Sequence, residues 1–180
     1  MNKKVLIIST SLRRGSNSEL LARQFAEGAR EAGNRVETVS LRGKDIRFCV
    51  GCMACLKNGR CAQQDDANAI VEQMREADVI CFATPVYYYE MSGQMKTLLD
   101  RANALFAADC AFRDIYLLTA SAEAEDSAAD GPIHGLNGWV ACFERARLAG
   151  VVRGGGANGP GEMERLTGKL MEAREMGKNV

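Results

Sequence analysis

Residues 5–18 read Val-Leu-Ile-Ile-Ser-Thr-Ser-Leu-Arg-Arg-Gly-Ser-Asn-Ser, and this stretch decides the fold. An apolar run typical of a buried strand stops at a cluster of hydroxyl, arginine and amide side chains, and a helical pattern follows at once. Ser16 and Glu19 have the spacing of a capping box, which predicts a helix N-terminus here. The first backbone N–H groups of a helix lack intrahelical partners, so a polar loop at this place can bind an anion. The stretch therefore indicates either a phosphate-binding loop or a capped polar turn.

This loop lacks the two best-known nucleotide phosphate motifs. No Gly-Lys pair precedes a hydroxyl residue, as the GxxxxGK[ST] loop of nucleotide triphosphatases requires, and the first turn has no GxGxxG. Hydroxyl and amide donors without a lysine suit a phosphomonoester that is bound and not transferred. A GxGxxG pattern does occur at 154–159, but no further strand follows it to supply a ribose-binding acid, so we predict a flexible loop there.

Apolar runs and helical patterns alternate along the whole chain. The predicted strands are 4–9, 36–41, 78–84, 113–119 and 151–153, and Pro85 is expected to end the third. The predicted helices are 17–33, 65–76, 93–106, 132–148 and 162–178. This alternation indicates one α/β domain over residues 1–180, with a doubly wound, five-stranded parallel sheet covered on both faces. Ligands of such sheets bind at the carboxyl ends of the strands, where the loops 9–18, 85–91 and 120–131 would meet.

The second informative stretch is Thr-Pro-Val-Tyr-Tyr-Tyr-Glu-Met-Ser-Gly-Gln-Met-Lys at 84–96. Three consecutive tyrosines follow a nearly continuous apolar run, which is typical of a strand buried on both faces. The tyrosines could pack on the two faces of an extended segment, or they could offer planar surfaces beside the phosphate loop. A flat heteroaromatic group with a phosphate tail would fit both loops.

Residues 42–64 show no convincing periodicity, and a loop of this length in a compact domain usually has a function. Its larger part, which we call the cysteine loop (residues 44–64), carries four cysteines with the spacing C-x2-C-x2-C-x5-C: Cys49, Cys52, Cys55 and Cys61. Four thiolates at this spacing can hold one [4Fe–4S] cluster, while a zinc site and free or redox-paired thiols stay open as alternatives. The other three cysteines stand in apolar surroundings and are predicted to be small core residues.

The composition excludes several classes of protein. The chain has 180 residues, 47% of them hydrophobic, which suits one domain with a real core and excludes a disordered chain. Its 23 basic and 23 acidic side chains balance, so nothing indicates a nucleic acid or a membrane surface as partner. No signal peptide or membrane-spanning run is visible, and we expect a soluble cytoplasmic protein whose cysteines are thiols or metal ligands.

Together these segments resemble the flavodoxin-like NAD(P)H-dependent FMN reductase family, in particular its iron–sulfur flavoprotein branch. The motifs run nearly end to end and comprise the serine-rich loop 11–18, the cysteines of 49–61 followed by Asp65-Asp66, the segments 85–87 and 92–96, Asp100-Arg101, and Gly177-Lys178. The resemblance implies a flavodoxin-like sheet with strand order 2-1-3-4-5. It also implies FMN as cofactor, NAD(P)H as co-substrate, and a homodimer or homotetramer in which the cysteine loop lies near a neighbour's flavin.

The resemblance further implies where FMN would lie. Its phosphate would contact the serine-rich loop, its isoalloxazine ring would lie against residues 85–88, and the segment 119–122 would form a third wall. The expected cofactor-binding residues are Ser9, Ser11, Arg13, Ser16, Asn17, Ser18, Pro85, Val86, Tyr87, Tyr88, Thr119, Ser121 and Ala122. The chain departs from the family at Leu12, where proline is frequent, and in the loop after the fourth strand, which lacks the glycines expected beside a flavin.

These features predict an FMN-dependent oxidoreductase without an acid–base catalyst of its own, because the flavin carries the chemistry. Electrons would pass from NAD(P)H or a reduced carrier to a small acceptor such as a quinone. If the cysteines hold a cluster, it would relay single electrons between the flavin and a partner such as ferredoxin. Two other functions stay open, a non-catalytic flavodoxin-like electron carrier and a zinc-stabilised interaction module.

Overall fold

A parallel sheet of five strands forms the centre of the fold, described here from a computed structural model over residues 2–180. The strands are β1 Lys4–Ser9, β2 Arg35–Ser40, β3 Val79–Tyr87, β4 Glu90–Met91, β5 Asp114–Ala120 and β6 Arg147–Gly154. The short β4 pairs antiparallel with the end of β3, and all other pairings are parallel. The order β2-β1-β3-β5-β6 confirms the predicted order 2-1-3-4-5 of the five parallel strands.

Helices cover both faces of this sheet. They are α1 Asn17–Glu31, α2 Ala54–Asn58, α3 Ala67–Glu76, α4 Gly93–Arg101, α5 Asp130–Val140 and α6 Thr167–Lys178. Val5 and Ile7 of β1 pack with α1 and α6, while Leu6 and Ile8 pack on the opposite face with α3, α4 and α5. Burial on both faces explains why β1 is an unbroken apolar run. Among the helices within residues 2–180, none has both the length and the apolar character needed to span a bilayer.

The third parallel strand is longer than predicted, because Pro85 does not end it. Pro85 pairs with Ala120 of β5, and the strand continues to Tyr87. The carbonyl of Ala83 accepts a hydrogen bond from the Thr10 N–H (2.9 Å), on the side where β1 is ending. The nitrogen of Pro85, two residues later, faces this same side, where β1 has already ended at Ser9, so a proline is tolerated within β3.

The predicted helix 132–148 is wrong over its second half. Helix α5 ends at Val140, a turn follows, and Arg147 already belongs to β6, which is longer than the predicted 151–153. The apolar residue Phe143 is packed by that turn, edge-on against Phe112 at a centroid distance of 5.1 Å. Phe143 also packs against Trp139 of α5 (4.7 Å), so the apolar spacing continues although the helix has ended. The predicted helices 93–106 and 162–178 include 3-10 turns at 102–105 and 162–165.

Candidate functional site

Two loops at the carboxyl edge of the sheet enclose a cavity, which we call the edge cavity. It holds about 480 Å³ of empty space, part of it open to solvent. Its lining residues are Ser11, Arg13, Ser16, Asn17, Ser18, Pro85, Val86, Tyr87, Ala120, Ala122, Ala157 and Asn158. Most of the residues expected to bind the cofactor are thus brought together. The expected residues that do not line it are Ser9, Tyr88, Thr119 and Ser121.

The serine-rich loop presents hydroxyl groups and helix N–H groups to the edge cavity. Ser11, Ser16 and Ser18 are all buried. The Ser16 Oγ accepts a hydrogen bond from the Glu19 N–H (3.2 Å), which confirms the predicted N-cap of α1. The N–H groups of the first helical turn have no intrahelical acceptor, so they and the positive end of the helix dipole are available to an anion.

Asn17 also lines the edge cavity, but its side-chain amide forms its hydrogen bonds with the backbone of residues 157–163. Its Nδ2 donates to the carbonyls of Ala157 (3.0 Å) and Gly159 (2.9 Å), and its Oδ1 accepts from the Met163 N–H (3.0 Å). An amide nitrogen has two hydrogens, and these bonds use both of them. The Asn17 side chain therefore holds a neighbouring loop, and its backbone N–H is the group left for an anion.

That neighbouring loop, residues 154–161, is part of the site and was missed by the sequence analysis. Two of its residues line the cavity, Ala157 and Asn158. The Arg13 guanidinium donates to the Asn158 carbonyl (2.8 Å), and the Gly161 N–H donates to the Gly15 carbonyl (3.0 Å). The predicted flexible loop is instead fixed against the serine-rich loop. Its glycines, which permit close backbone approach, were the signal that could have indicated this.

Three buried hydroxyl groups join the two walls of the edge cavity from behind. The hydroxyls of Thr10 and Ser92 lie 3.0 Å apart, and the Thr84 hydroxyl donates to the Ser92 Oγ (3.3 Å). The Ser92 N–H in turn donates to the Thr84 Oγ1 (3.1 Å), and Ser92 caps α4 as predicted. Thr10 directly precedes the serine-rich loop and Thr84 directly precedes Pro85, so this network fixes one wall relative to the other.

The end of β3 forms a hairpin whose turn is Tyr88-Tyr89. Both turn residues have positive φ (51° and 62°), as a type I′ turn requires, although asparagine and glycine adopt this conformation more readily. Tyr87 lines the edge cavity, whereas the Tyr88 side chain is fully exposed and does not. The consecutive tyrosines thus have different positions, and within the described chain Tyr87 is the one that contacts the cavity.

The third wall comes from the end of β5, and two alanines form it, Ala120 and Ala122. The hydroxyls expected here bond to the backbone instead. The Thr119 Oγ1 donates to the Val152 carbonyl (3.2 Å), and the Ser121 Oγ donates to the Glu123 carbonyl (2.9 Å). These bonds stabilise the sheet edge and the loop after it, and a cofactor contact by either hydroxyl stays a prediction.

The four cysteines of the cysteine loop line a second, smaller cavity, which we call the cysteine cavity. All four are free thiols, the first two exposed and the last two partly buried. The chain turns between them at three residues with positive φ: Gly51, Met53 and Gly59. Within residues 2–180, no three His, Cys, Asp or Glu side chains are placed to bind one metal ion together. The predicted ligands therefore surround one cavity without converging on a single point, and their role stays a prediction.

Two polar groups already donate to these sulfurs. The Gly51 N–H lies 3.5 Å from the Cys49 Sγ, and the Asn103 Nδ2 lies 3.2 Å from the Cys55 Sγ. Hydrogen bonds from N–H groups to ligating sulfurs are one of the means by which proteins tune metal–thiolate centres. Four thiols with such donors around them are a donor set that fits an iron–sulfur or zinc site.

A buried ion pair attaches the cysteine loop to α4. The Arg101 guanidinium donates to both Asp65 carboxylate oxygens (2.6 and 2.8 Å), and both side chains are inaccessible to solvent. The N-cap residue of α3 is Asp66, one of the two predicted, and the neighbouring Asp65 accepts from the Ala67 N–H (3.1 Å) at the start of the helix. Burial would raise the pKa of Asp65, but hydrogen bonds from Arg101 and from the Arg47 and Ala67 N–H groups lower it to about 2.

A family model described as NADPH-dependent FMN reductase matches residues 3–158. The chain belongs to this family. The matched region contains the serine-rich loop, the cysteine loop and the tyrosine hairpin, so the family that these motifs indicated is confirmed.

Individual proteins agree with this assignment. An iron–sulfur flavoprotein of Methanocaldococcus jannaschii is 39% identical over 102 residues, which are 57% of this chain and 53% of that protein. The chain spans about half the length of the curated relatives it matches. A solved NAD(P)H:quinone oxidoreductase from Methanothermobacter marburgensis superposes with a TM-score of 0.78 at 18% identity, covering 99% of this chain and 96% of that one. An azoreductase from Bacillus anthracis gives 0.74 at 20% identity with both chains fully covered, and these two likenesses confirm the flavodoxin-like fold.

The edge cavity fits the cofactor named by this family. Buried serine hydroxyls, first-turn N–H groups and Arg13 supply the donors and the charge that a phosphomonoester needs. Pro85, Val86 and Tyr87 form a less polar wall that suits a flat ring. The arrangement can therefore hold an anionic tail and an aromatic system at once.

Proposed function

We propose that the chain binds FMN in the edge cavity and acts as an FMN-dependent oxidoreductase. The observation that carries this proposal is the meeting of two unlike walls in one cavity, the buried serine hydroxyls on one side and the end of β3 on the other. Family membership supports the same cofactor. When bound, FMN supplies the redox chemistry, since it accepts a hydride or electrons and releases them singly or in pairs.

The residues of the edge cavity would bind the phosphate of FMN, orient its ring and shield that ring from water. The hydroxyls of Ser11, Ser16 and Ser18 and the N–H groups of Asn17 and Ser18 would hold the phosphate, with Arg13 offsetting its charge. Pro85, Val86 and Tyr87 would fix the plane of the ring and exclude water from one side of it. The hydroxyl network behind the cavity keeps these two groups of residues at a constant separation, which preorganises the site.

This binding can be tested with a ligand that lacks the phosphate. Apoprotein is titrated with FMN and, separately, with riboflavin, and binding is followed by quenching of flavin fluorescence. We expect riboflavin to bind at least about tenfold more weakly, because each hydrogen bond to a charged group contributes roughly 1.5–3 kcal/mol. Equal affinities would remove the phosphate assignment, and failure to bind FMN would remove the proposal.

For the electron donor and acceptor we propose NAD(P)H and a small molecule such as a quinone. The family description names NADPH, and one structural neighbour is titled as an NAD(P)H:quinone oxidoreductase. The FMN-loaded protein should oxidise NADH or NADPH in the presence of a soluble quinone. No turnover by fully loaded protein would favour a flavodoxin-like electron carrier.

We also propose that the four cysteines hold a [4Fe–4S] cluster, which would supply single-electron transfer and could serve a partner such as ferredoxin. Three observations support this: the four thiols line one cavity, N–H groups donate to two of the sulfurs, and several curated relatives carry the name iron–sulfur flavoprotein. The four sulfurs would have to approach one another to hold one cluster, because they surround the cavity without meeting at a single point.

Metal analysis after anaerobic purification or reconstitution with iron and sulfide tests the cluster. We expect about four iron atoms per chain and their loss in Cys52→Ser. The matched control is Cys142→Ser, an exposed cysteine outside the motif, which should keep its iron. Stoichiometric zinc without iron would instead support a zinc-stabilised module.

Exposed apolar side chains support a homodimer or homotetramer, which we propose as the assembly. Six of them lie on or beside the cysteine loop: Leu12, Phe48, Val50, Met53, Leu56 and Phe106. Leu12 and Phe48 line one groove together. Light scattering should show more than one chain per particle, and Phe48→Ser should weaken the assembly. We place the protein in the cytoplasm, where its free thiols would stay reduced.

A further inference from the structure

Arg101 is the last residue of α4, and the proposed binding of FMN and of a cluster does not by itself explain why an arginine stands there. Its side chain is completely buried, which is rare for arginine unless every donor has a partner. It lies in the wall of the cysteine cavity together with all four cysteines. An arginine in this place can act on the loop, on the sulfurs or on both.

The guanidinium joins the two ends of the cysteine loop. Besides its two bonds to Asp65, Nη1 donates to the Arg47 carbonyl (2.7 Å) and Nη2 lies 3.4 Å from the Gln63 carbonyl. Arg47 precedes Cys49 by two residues, and Gln63 follows Cys61 by two residues. One planar group therefore fixes the chain directly before the first cysteine and directly after the last.

The third nitrogen of this side chain has no acceptor. Across residues 2–180, the buried Nε of Arg101 makes no hydrogen bond. A buried N–H of a charged group without a partner is costly, so an acceptor that belongs there is expected. Arg101 and the four cysteines line the same cavity, so a cysteine sulfur is an acceptor that this site can offer.

We propose that Arg101 is a positioning residue of the cysteine site: its Nη atoms hold the ends of the loop, and its Nε–H donates to a sulfur of the cysteine cavity. This inference rests on the proposed iron–sulfur cluster. Reduction adds one electron to the cluster and makes its sulfurs more negative. A hydrogen bond and a buried positive charge stabilise that state, so Arg101 raises the reduction potential.

Lysine could not replace arginine in this role. A lysine ammonium is a single point charge on a flexible stem, whereas the guanidinium bonds Asp65 and two loop carbonyls in one plane and keeps its Nε–H for a sulfur. Arg101→Lys keeps the charge and removes the Nε–H, so it separates the hydrogen bond from simple electrostatics. Arg101→Gln removes both.

Arg75 provides the matched control. It also holds the cysteine loop, because its Nη2 donates to the Gly59 carbonyl (2.7 Å), and its Nε is likewise buried without a partner in the described chain. It does not line the cysteine cavity. Arg75→Gln therefore loosens the loop without removing a donor to sulfur.

The experiment is a redox titration of the anaerobically reconstituted full-length protein, with dithionite as reductant and the reduced cluster followed by electron paramagnetic resonance. We expect Arg101→Lys and Arg101→Gln to lower the midpoint potential, changing the oxidised-to-reduced ratio at a fixed potential by about three- to tenfold, a tenfold change being about 59 mV for one electron. Arg75→Gln should titrate like the wild type. Identical potentials in all four proteins, or equal shifts for both arginines, would overturn the inference.

Two further measurements cover the other outcomes. If the Arg101 variants do not fold, wild-type protein labelled with ¹⁵N-arginine should show a nitrogen coupling to the reduced cluster, and absence of that coupling overturns the donation to sulfur. If wild-type protein takes up no iron, the proposed cluster is refuted and the sulfur part of this inference with it. Hydrogen exchange in the metal-free protein then decides the loop-holding part, which requires faster exchange over 47–63 in Arg101→Lys than in the wild type.

Discussion

The edge cavity and the cysteine loop follow neighbouring strands at the same edge of the sheet, yet different interactions hold them. The walls of the edge cavity continue buried strands, and the Thr10, Thr84 and Ser92 hydroxyls join them. The cysteine loop contains one five-residue helix without a buried residue, and the Asp65–Arg101 pair fixes its ends. The fold itself therefore holds the walls of the edge cavity together, whereas the ends of the cysteine loop depend on one buried ion pair.

The largest effect should come from breaking that ion pair. In Asp65→Ala the Arg101 guanidinium loses its counter-charge while it stays buried, and such a change typically lowers the free energy of unfolding by about 3–5 kcal/mol. Urea unfolding measured by circular dichroism checks this value. The control is Asp100→Ala, which removes an exposed pair with Lys96 and should change stability by less than about 1 kcal/mol. Similar losses of unfolding free energy in both variants would mean that the buried pair stabilises the fold no more than the exposed pair does.

A second comparison uses serines that the sequence analysis treated alike. Ser18 lines the edge cavity with a hydroxyl that is 3.5 Å from the Ser16 hydroxyl, whereas the Ser121 hydroxyl donates to the Glu123 carbonyl. Ser18→Ala should weaken FMN binding roughly 10- to 100-fold, because a hydrogen bond to a charged phosphate contributes roughly 1.5–3 kcal/mol. Ser121→Ala should leave the dissociation constant for FMN nearly unchanged.

Flavin fluorescence titrations of the two variants and of the wild type decide this comparison, with riboflavin as a second ligand. Loss of affinity for FMN but not for riboflavin in Ser18→Ala would locate the effect at the phosphate. A larger loss in Ser121→Ala than in Ser18→Ala would mean that the cofactor lies against the loop after β5, in disagreement with the lining of the edge cavity.

The third effect is a pH dependence specific to the cysteine loop. The pKa of Asp65 is lowered to about 2 in the folded chain, against about 3.9 for an unperturbed aspartate. The ionised carboxylate therefore favours folding fully above about pH 4, and this contribution, about 2.5 kcal/mol, is lost as the pH falls through 4 towards 2. Asp65→Asn cannot titrate at this position, so the difference in unfolding free energy between it and the wild type should shrink over that interval. A constant difference would contradict the assignment.

Local patterns in the sequence were sufficient to predict the sheet and most of the residues that line the edge cavity. The unbroken run 5–8 and the capping residues Ser16 and Ser92 each carry their structural information within a few neighbours. Where the pattern failed, a distant contact decided the structure. Pro85 fits inside β3 because β1 ends beside it, and Phe143 is partly buried against Phe112 and Trp139 although it lies after the end of α5.

The same distinction explains which roles within the site were not predicted. Asn17 has the residue type of a phosphate ligand, but its amide is used by the loop 154–161, more than a hundred residues away. Nothing adjacent to Thr84 shows that its hydroxyl meets those of Thr10 and Ser92. The cysteine spacing predicted a set of thiols around one cavity, but it could not predict Arg101 or the path of the loop, because both depend on tertiary contacts.

The smallest effect concerns the hairpin that continues from the edge cavity. Tyr88 has a φ of 51° and a fully exposed side chain, so it contributes backbone strain without burial. Tyr88→Asn should be more stable than Tyr88→Ala by about 0.5–1 kcal/mol, because asparagine tolerates the left-handed conformation of a type I′ turn and alanine does not. Chemical denaturation of the two variants measures this difference, and loss of the exposed ring is common to both. Equal stabilities would show that the turn relaxes at little cost, and the left-handed conformation of Tyr88 would then contribute no strain to this wall of the edge cavity.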